Sequence, residues 1–220
     1  MDTDNRSFKR WNAQEVEKTF GIHRTKKSKL LDQWLESQPA ATPFQLQSVE
    51  YLRAAAEDDI DAWNEAALKF FFIGPLVALI DFNEQDYHGF LEQQLVIEQE
   101  GVQARGNIDF MVASGREVAE APYYVLHEYK PETTAVLDPK GQLLIGMIAA
   151  QRANEARGLT QPVYGSYVIG RLWFFVLLNG KEYTISRAYD CTLPDGVDVI
   201  FRALLQVKMY IVALHEEMKS

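Results

Sequence analysis

The chain has 220 residues, of which 47% are hydrophobic and 24% are charged, and its formal net charge is −9 at pH 7. This composition is typical of a globular protein and excludes collagen, coiled coils and intrinsically disordered chains. An acidic chain is also a poor generic nucleic-acid binder, because contacts to phosphates need cations.

The first 60 residues predict a small helical appendage. Apolar residues at helical spacing indicate a helical first segment, in short amphipathic stretches broken near Gly21, and a second helix is predicted over 45–56. The segment 39–43 indicates a linker, since proline ends a helix. The one dense basic cluster of the sequence lies here and consists of Arg24, Lys26, Lys27 and Lys29. We expect this cluster to contact a polyanion if the protein binds one. The alternative is that these residues are only the solvent-exposed beginning of a helix.

Residues 61–220 predict an α/β fold in which a mixed central sheet is flanked by helices. A helix starts near Ala62 and is kinked or restarted at Pro75. Short spacing between the next three strands favours an antiparallel meander, and the pair Asn179 and Gly180 indicates a later hairpin. The predicted elements are strands over 94–100, 107–112 and 123–129, a helix over 139–157, strands over 163–169, 172–178 and 182–186, and a helix over 195–217.

The location of the protein is predicted from what the sequence lacks. The longest apolar run, 70–80, has 11 residues, whereas a membrane-spanning helix needs about 20. The N-terminus has no apolar signal segment, and the one cysteine, Cys191, excludes an internal disulfide. We therefore expect a cytoplasmic protein with no membrane segment.

Three charged residues occupy informative positions in the predicted meander. Asp109 lies inside the second strand, where a carboxylate is costly unless it is paired or binds a metal. Glu128 and Lys130 end the third strand and share a face, because residues i and i+2 of a strand point the same way. Two neighbouring carboxylates suit Mg²⁺, and a lysine beside them can orient a water and stabilise charge on a phosphate. The pattern predicts metal-assisted attack of water on a phosphodiester; the alternative is an ordinary Glu128–Lys130 salt bridge.

These residues carry a family resemblance. The chain resembles the PD-(D/E)XK nuclease superfamily, whose fold is restriction-endonuclease-like, over about residues 63–190. Ile108 stands where the motif has proline. The later strands are similar to those of the nuclease domain in type I restriction motor subunits. The stretches that carry the resemblance are WNEAALKFFFIGPL at 63–76, GNID at 106–109, HEYK at 127–130, GQLLIGMIAA at 141–150 and YGSYVIGRLWFFVL at 164–177.

The resemblance implies roles for six positions of this chain and offers a seventh as a second candidate. Asp109 and Glu128 would ligate the metal, Mg²⁺ or Mn²⁺, together with the main-chain carbonyl of Tyr129. Lys130 would position or activate the water. Glu65, on the first core helix, would hold a metal directly or through water; the alternative is a surface residue. Gln142, at the start of the crossover helix, matches a glutamine often found there, and Gln151 is a second candidate.

These observations lead to one expected function and two alternatives. The expected function is a Mg²⁺-dependent DNA endonuclease of restriction or DNA-processing type, which could act as a homodimer or with a partner protein. The first alternative is a binding or scaffold protein that keeps the nuclease fold without activity, which the acidic charge favours. The second is a nuclease subunit that is active only within a larger complex, where a partner supplies the basic surface.

Overall fold

In the computed structural model, which describes residues 4–99, 101–130 and 138–219, a mixed β-sheet lies between two layers of helices. The α/β class predicted from the sequence is therefore confirmed. Glu100, the predicted last residue of the first meander strand, lies outside the described residues. The helices are α1 (Ala13–Phe20), α2 (Lys29–Glu36), α3 (Pro43–Asp59), α4 (Glu65–Leu68), α5 (Gly74–Ile80), α6 (Pro139–Glu155) and α7 (Pro194–Lys219). The strands are β1 (Asp4–Ser7), β2 (His23–Arg24), β3 (Tyr87–Gln99), β4 (Val102–Ser114), β5 (Glu120–Lys130), β6 (Val163–Ile169), β7 (Leu172–Asn179), β8 (Glu182–Ile185) and β9 (Tyr189–Asp190).

The sheet follows the predicted topology. Strands β3, β4 and β5 form an antiparallel meander. Helix α6 then crosses over, and β6 pairs in parallel with β5. Strands β6, β7 and β8 continue antiparallel, so that the strand order from β4 is β4-β5-β6-β7-β8. A parallel pair needs such a crossover, and a helix is its usual form.

Each face of the sheet is covered by its own apolar core. On one face, α1 and α6 pack against the sheet through residues such as Val16, Leu144 and Met147. On the other face, α2, α3, α5 and α7 pack against it through residues such as Trp34, Leu76 and Phe201. Burial on both faces explains the nearly continuous apolar runs of the central strands.

Helices α4 and α5 form one continuous rod that widens in its middle. The five residues Lys69–Ile73 between them form a π-helical turn, in which the Gly74 N–H donates to the Lys69 carbonyl. Pro75 follows directly and has no N–H to donate. The local disruption predicted at Pro75 is therefore a widened turn. Such turns often occur at functional sites, and this one carries Lys69.

The N-terminal segment differs from the predicted helical appendage. It contains three helices, but it also supplies β1, which pairs in parallel with β4, and β2, which pairs in parallel with β8. Phe8, Trp11 and Val16 lie in the core beneath α6, and Trp34 and Val49 lie in the opposite core. Residues 1–60 are therefore corrected from an appendage to an integral part of both layers. Two- and four-residue strands carry too little local signal to be predicted without their partners.

Among the residues that the structure describes, no helix is both long enough and apolar enough to cross a membrane.

The close packing of the N-terminal segment on α6 makes a stability prediction. A Cβ added at Gly141 would lie 2.2 Å from the main-chain oxygen of Trp11 and 2.7 Å from Cα of Asn12. We expect Gly141→Ala to lower the free energy of unfolding by about 1–3 kcal/mol, as overpacking does, although alanine favours helices by about 1 kcal/mol. Thermal unfolding measures the change. Glu155→Ala, at an exposed position of the same helix, is the control, and an unchanged Gly141→Ala protein would contradict the packing.

Candidate functional site

The candidate site lies where β4 and β5 separate. The two strands pair in register from Val112 to Phe110, and Phe110 lies opposite His127. Beyond this pair the ladder ends, and the next residues are Asp109 on β4 and Glu128 on β5. Asp109 Oδ2 accepts a hydrogen bond from the Tyr129 N–H at 2.8 Å. This contact holds the carboxylate between the two diverging strands.

The predicted triad of charged side chains is brought together here. Lys130 Nζ lies 3.7 Å from an oxygen of Asp109 and 3.8 Å from an oxygen of Glu128, and it donates to the Tyr129 carbonyl at 2.9 Å. Asp109, Glu128 and Lys130 are all buried. The predicted shared face of Glu128 and Lys130 is therefore confirmed. Such charges are stable in an apolar interior only because each has a partner of opposite sign.

The carboxylate of Glu128 is the least satisfied group of the site. Its side chain is 0% exposed, and within the described ranges neither oxygen has a hydrogen-bond partner. Burial and the nearby charge of Asp109 raise the pKa of Glu128 well above its usual value. Burial also raises the pKa of Asp109, but Lys130, Lys69 and the Tyr129 N–H outweigh it, so that the pKa of Asp109 is lowered. The two carboxyl groups thus differ in proton affinity although they are neighbours.

Lys69 is a site residue that the sequence interpretation missed. Its Nζ lies 2.9 Å from Asp109 Oδ1, 2.8 Å from Glu65 Oε1 and 3.5 Å from Glu92 Oε1. Burial lowers the pKa of Lys69, but its hydrogen bonds to Glu65 and Asp109 outweigh this and raise it. The spacing of four residues between Glu65 and Lys69 was the available signal, because such residues share one face of a helix.

Glu65 therefore reaches the site only through Lys69. The ammonium group of Lys69 lies between the carboxylates of Glu65 and Asp109, instead of the two carboxylates facing each other. Gln142 is buried on α6, and its Nε2 donates to the Asn107 carbonyl at 3.5 Å, while its Oε1 has no partner among the described residues. Gln151 donates to the Gly180 carbonyl in the β7–β8 hairpin, and the structure does not bring it to the site.

Strand β3 is irregular at the same level as Asp109. Leu91 pairs with Phe110 and Gln93 pairs with Ile108, but the intervening Glu92 has a φ of 51°. A positive φ is uncommon for a residue other than glycine and costs about 1–3 kcal/mol. The strained residue lies beside Asp109 and carries a carboxylate that contacts Lys69. Strain of this kind concentrates at functional sites.

His127 adjoins the motif but belongs to the opposite face of the sheet. Its ring stacks on Phe110 and on Tyr129, and its Nδ1 shares a hydrogen bond with the Ser166 hydroxyl. Burial lowers the pKa of His127 to about 3. The ring is therefore neutral at physiological pH and packs as part of the core below the site.

A polar cleft of about 440 Å³ opens onto Asp109. It runs along the N-terminal half of β4 and is lined by Gln94, Asn107 and Gln142, with two cations, Lys9 and Arg105. Lys9 follows β1, whose Ser7 lies beside Arg105 in the register of the sheet. Gly106 permits this contact, since a Cβ there would lie 2.4 Å from Phe8. The N-terminal segment thus brings positive charge to the site.

The predicted basic cluster lies elsewhere. Arg24 is in β2, at the sheet edge that follows β8, and Lys26, Lys27 and Lys29 precede or begin α2. All four side chains are exposed. Four strand spacings separate this edge from β5, and five separate it from Asp109 on β4. The cluster therefore lies about 19–24 Å from the site at the usual strand spacing. The structure does not bring the cluster to Asp109.

Several oxygen atoms of the site could hold a divalent cation, although both Asp109 oxygens and the Tyr129 carbonyl accept hydrogen bonds from protein groups in this structure. The site has four carboxyl groups and two ammonium groups, so its net charge is −2 when every carboxyl is ionised. These groups belong to Glu65, Glu92, Asp109, Glu128, Lys69 and Lys130. Further oxygen donors are the Tyr129 carbonyl and the Gln142 amide. No group of three or more histidine, cysteine, aspartate or glutamate side chains in the described ranges forms a metal-binding cluster. The donor set is therefore two carboxylates with carbonyl oxygens, and Mg²⁺ accepts such a set when water completes its coordination.

Comparison with protein-family models gives no match to this chain, and comparison with curated protein sequences gives none either. The functional interpretation therefore depends on the geometry of the site.

The unsatisfied carboxyl of Glu128 makes a prediction about stability and pH. The pKa of Glu128 is higher in the folded protein than in the unfolded chain, where it is about 4.3. Protonated Glu128 therefore adds to the free energy of unfolding below this unfolded value, and the gain is lost as the pH rises through the folded-state pKa. Glu128→Gln removes the buried charge and keeps its shape. In EDTA at pH 8 we expect the variant to be more stable than the wild type by about 1–3 kcal/mol.

Thermal unfolding between pH 4 and pH 8 measures this difference, which should shrink toward pH 4. The control is Glu117→Gln, which changes an exposed glutamate and should match the wild type at every pH. A Glu128→Gln protein that is less stable than the wild type at pH 8 would contradict the description of Glu128 as an unsatisfied buried acid.

Proposed function

We propose that this protein is a metal-dependent nuclease that hydrolyses phosphodiester bonds in DNA. The observation that carries the proposal is the pair of buried carboxylates, Asp109 and Glu128, which lie beside Lys130, with Asp109 lining the end of a polar cleft. A buried carboxylate without a hydrogen-bond partner is costly, so its presence beside a second carboxylate favours a functional role over a structural one.

In this proposal Asp109 and Glu128 would hold Mg²⁺ or Mn²⁺, and the Tyr129 carbonyl and Gln142 Oε1 would be additional donors. When bound, the metal would supply a Lewis acid for the negative charge that develops during hydrolysis. Lys130 orients the attacking water. The water oxygen forms a bond to phosphorus, and one phosphorus–oxygen ester bond breaks. One proton of the water ends on the leaving oxygen, which becomes a free hydroxyl, and the other stays on the phosphate monoester or is released to solvent. Lys69 neutralises Asp109 before substrate binds and shares its charge with Glu65.

The cationic side of the cleft supports nucleic acid as the substrate. Lys9 and Arg105 line the cleft that ends at Asp109, so a phosphate chain entering the site would pass them. This local charge offsets the net charge of −9, which otherwise disfavours a polyanion. The proposal includes a cytoplasmic location, which the buried, unpaired thiol of Cys191 favours.

The acidic overall charge favours a second candidate, a nuclease subunit that needs a partner to supply more basic surface. Such a subunit would build the same metal site and would bind DNA weakly alone. It therefore differs from the first candidate in activity and not in the metal site.

The first test of the proposal is cleavage. Plasmid and oligonucleotide DNA are incubated with wild type, Asp109→Ala and Lys130→Ala in Mg²⁺ or Mn²⁺, at matched purity. We expect metal-dependent cleavage that falls by about 100-fold or more in both variants, since loss of a group acting on the reacting water has this effect. Lys27→Ala, at the remote basic cluster, is the control and should cleave as the wild type does.

The outcomes separate the candidates. Cleavage that survives in Asp109→Ala would contradict the assignment of the site. Absence of cleavage with a metal-induced rise in melting temperature that Asp109→Ala abolishes would favour the subunit in a larger complex. Absence of both would contradict the nuclease proposal and leave a binding or scaffold protein.

The second test separates the two basic surfaces. We expect the double variant Lys9→Ala/Arg105→Ala to bind fluorescent single-stranded DNA more weakly, with a log–log salt slope reduced by about 0.7 for each cation removed. The matched control is Lys26→Ala/Lys27→Ala, which removes the same charge from the remote cluster. Fluorescence anisotropy over a salt series measures both. A larger loss in the control pair would contradict the placement of the strand in the cleft.

A further inference from the structure

A second cavity meets the candidate site at Asp109. It has a volume of about 510 Å³ and lies between the α4–α5 rod and the β3–β4 pair. It shares Glu92 and Asp109 with the polar cleft. Along β4 the cleft covers residues before Asp109, whereas this cavity continues beyond Asp109 to Phe110. The two cavities are therefore consecutive parts of one surface, joined at the carboxylate.

The lining of the second cavity contrasts with that of the cleft. Its walls are apolar and include Phe70, Val77, Phe82, Leu91 and Phe110. The side chains of Phe70 and Leu91 are 74% and 70% exposed. We call this cavity the apolar pocket. A pocket of this volume with mostly apolar walls suits a flat, weakly polar organic group.

Four residues bring polar side chains to the lining of the apolar pocket. Lys69, Glu92 and Asp109 line its end at the candidate site, and Asn83 lies on its wall. The side chain of Asn83 accepts a hydrogen bond from the Gly89 N–H at 3.3 Å. An amide on an otherwise apolar wall can form hydrogen bonds with the edge of a heterocyclic ring, as in pockets that bind a single nucleobase.

We propose that the substrate is unpaired nucleic acid, and that the apolar pocket receives the base next to the phosphate that is cleaved. The inference rests on the proposed nuclease function. A nucleic-acid strand alternates anionic phosphates with flat bases, and here a polar cleft that carries Lys9 and Arg105 adjoins an apolar pocket at one carboxylate. A base within a duplex is stacked and paired, so it cannot enter such a pocket. An unpaired base enters without that cost, and aromatic side chains bind it through stacking.

The experiment compares single-stranded DNA of about 20 nucleotides with a duplex of the same sequence, both carrying a fluorescent label. The protein is the full chain with Lys130→Ala, in Mg²⁺, so that bound DNA is not cut. We expect the single strand to bind at least about tenfold more tightly than the duplex. Adding Phe70→Ala and Leu91→Ala should weaken single-strand binding by about tenfold or more and leave duplex binding unchanged.

The control is Phe44→Ala in the same Lys130→Ala background. Phe44 is 71% exposed and does not line the apolar pocket; it lines a neighbouring groove between α3 and α5, which shares Phe70 and Ala78 with that pocket. Phe70 and Leu91 are both exposed, so replacing them with alanine removes contacts to a bound base without leaving a cavity in the core. We expect the Phe44 variant to bind single-stranded DNA as its parent does.

Two results would overturn the inference while leaving the nuclease proposal intact. One is duplex binding as tight as single-strand binding; the other is single-strand binding that the Phe70 and Leu91 substitutions do not change. In either case the wild type would still cleave DNA. If neither form of DNA is bound and the wild type cleaves nothing, the proposed function itself fails, and the inference fails with it.

Discussion

The hydrogen bond from the Tyr129 N–H to Asp109 is the contact on which the candidate site depends. It is made where the ladder between β4 and β5 has ended, so a side chain takes the place of a main-chain partner. The same separation gives β1 its place beside the N-terminal half of β4. The separation of β4 and β5 thus positions the buried carboxylate of Asp109, opens the polar cleft and places Lys9 beside it. Phe110 and His127 stack directly behind this point and fix where the separation begins.

The site carries an electrostatic cost that the rest of the fold offsets. Four carboxylates and two lysines lie together at one corner of the sheet, where Asp109, Glu128 and Lys130 are buried and Glu65, Glu92 and Lys69 are partly or well exposed. Neither oxygen of Glu128 has a hydrogen-bond partner among the described residues. Removing charges from water costs several kcal/mol per ion. The large apolar cores on both faces of the sheet supply the stability that tolerates this arrangement. The strained φ of Glu92 beside Asp109 is a second local cost at the same place.

Sequence reasoning succeeded where the signal is local. The position of Asp109 inside an apolar strand, the spacing of Glu128 and Lys130, and the Asn179-Gly180 hairpin are each visible within a few residues. It failed where the partner lies far along the chain. Strand β1 pairs with a strand about 100 residues away, so nothing in its four residues predicted a strand or placed Lys9 at the site. The basic cluster at Arg24 was conspicuous in sequence but lies on a remote sheet edge. Lys69 could be assigned to the site only by knowing both the helix register and the position of Asp109 in space.

The central claim is that Asp109 and Glu128 together bind a divalent cation. Titration of Mn²⁺ followed by electron paramagnetic resonance tests it without any substrate or partner, because the signal of free Mn²⁺ disappears on binding. We predict that the wild type binds about one ion per chain and that Asp109→Asn, which keeps the shape of the side chain, binds none. Equal binding by both proteins, or no binding by the wild type, would contradict the account.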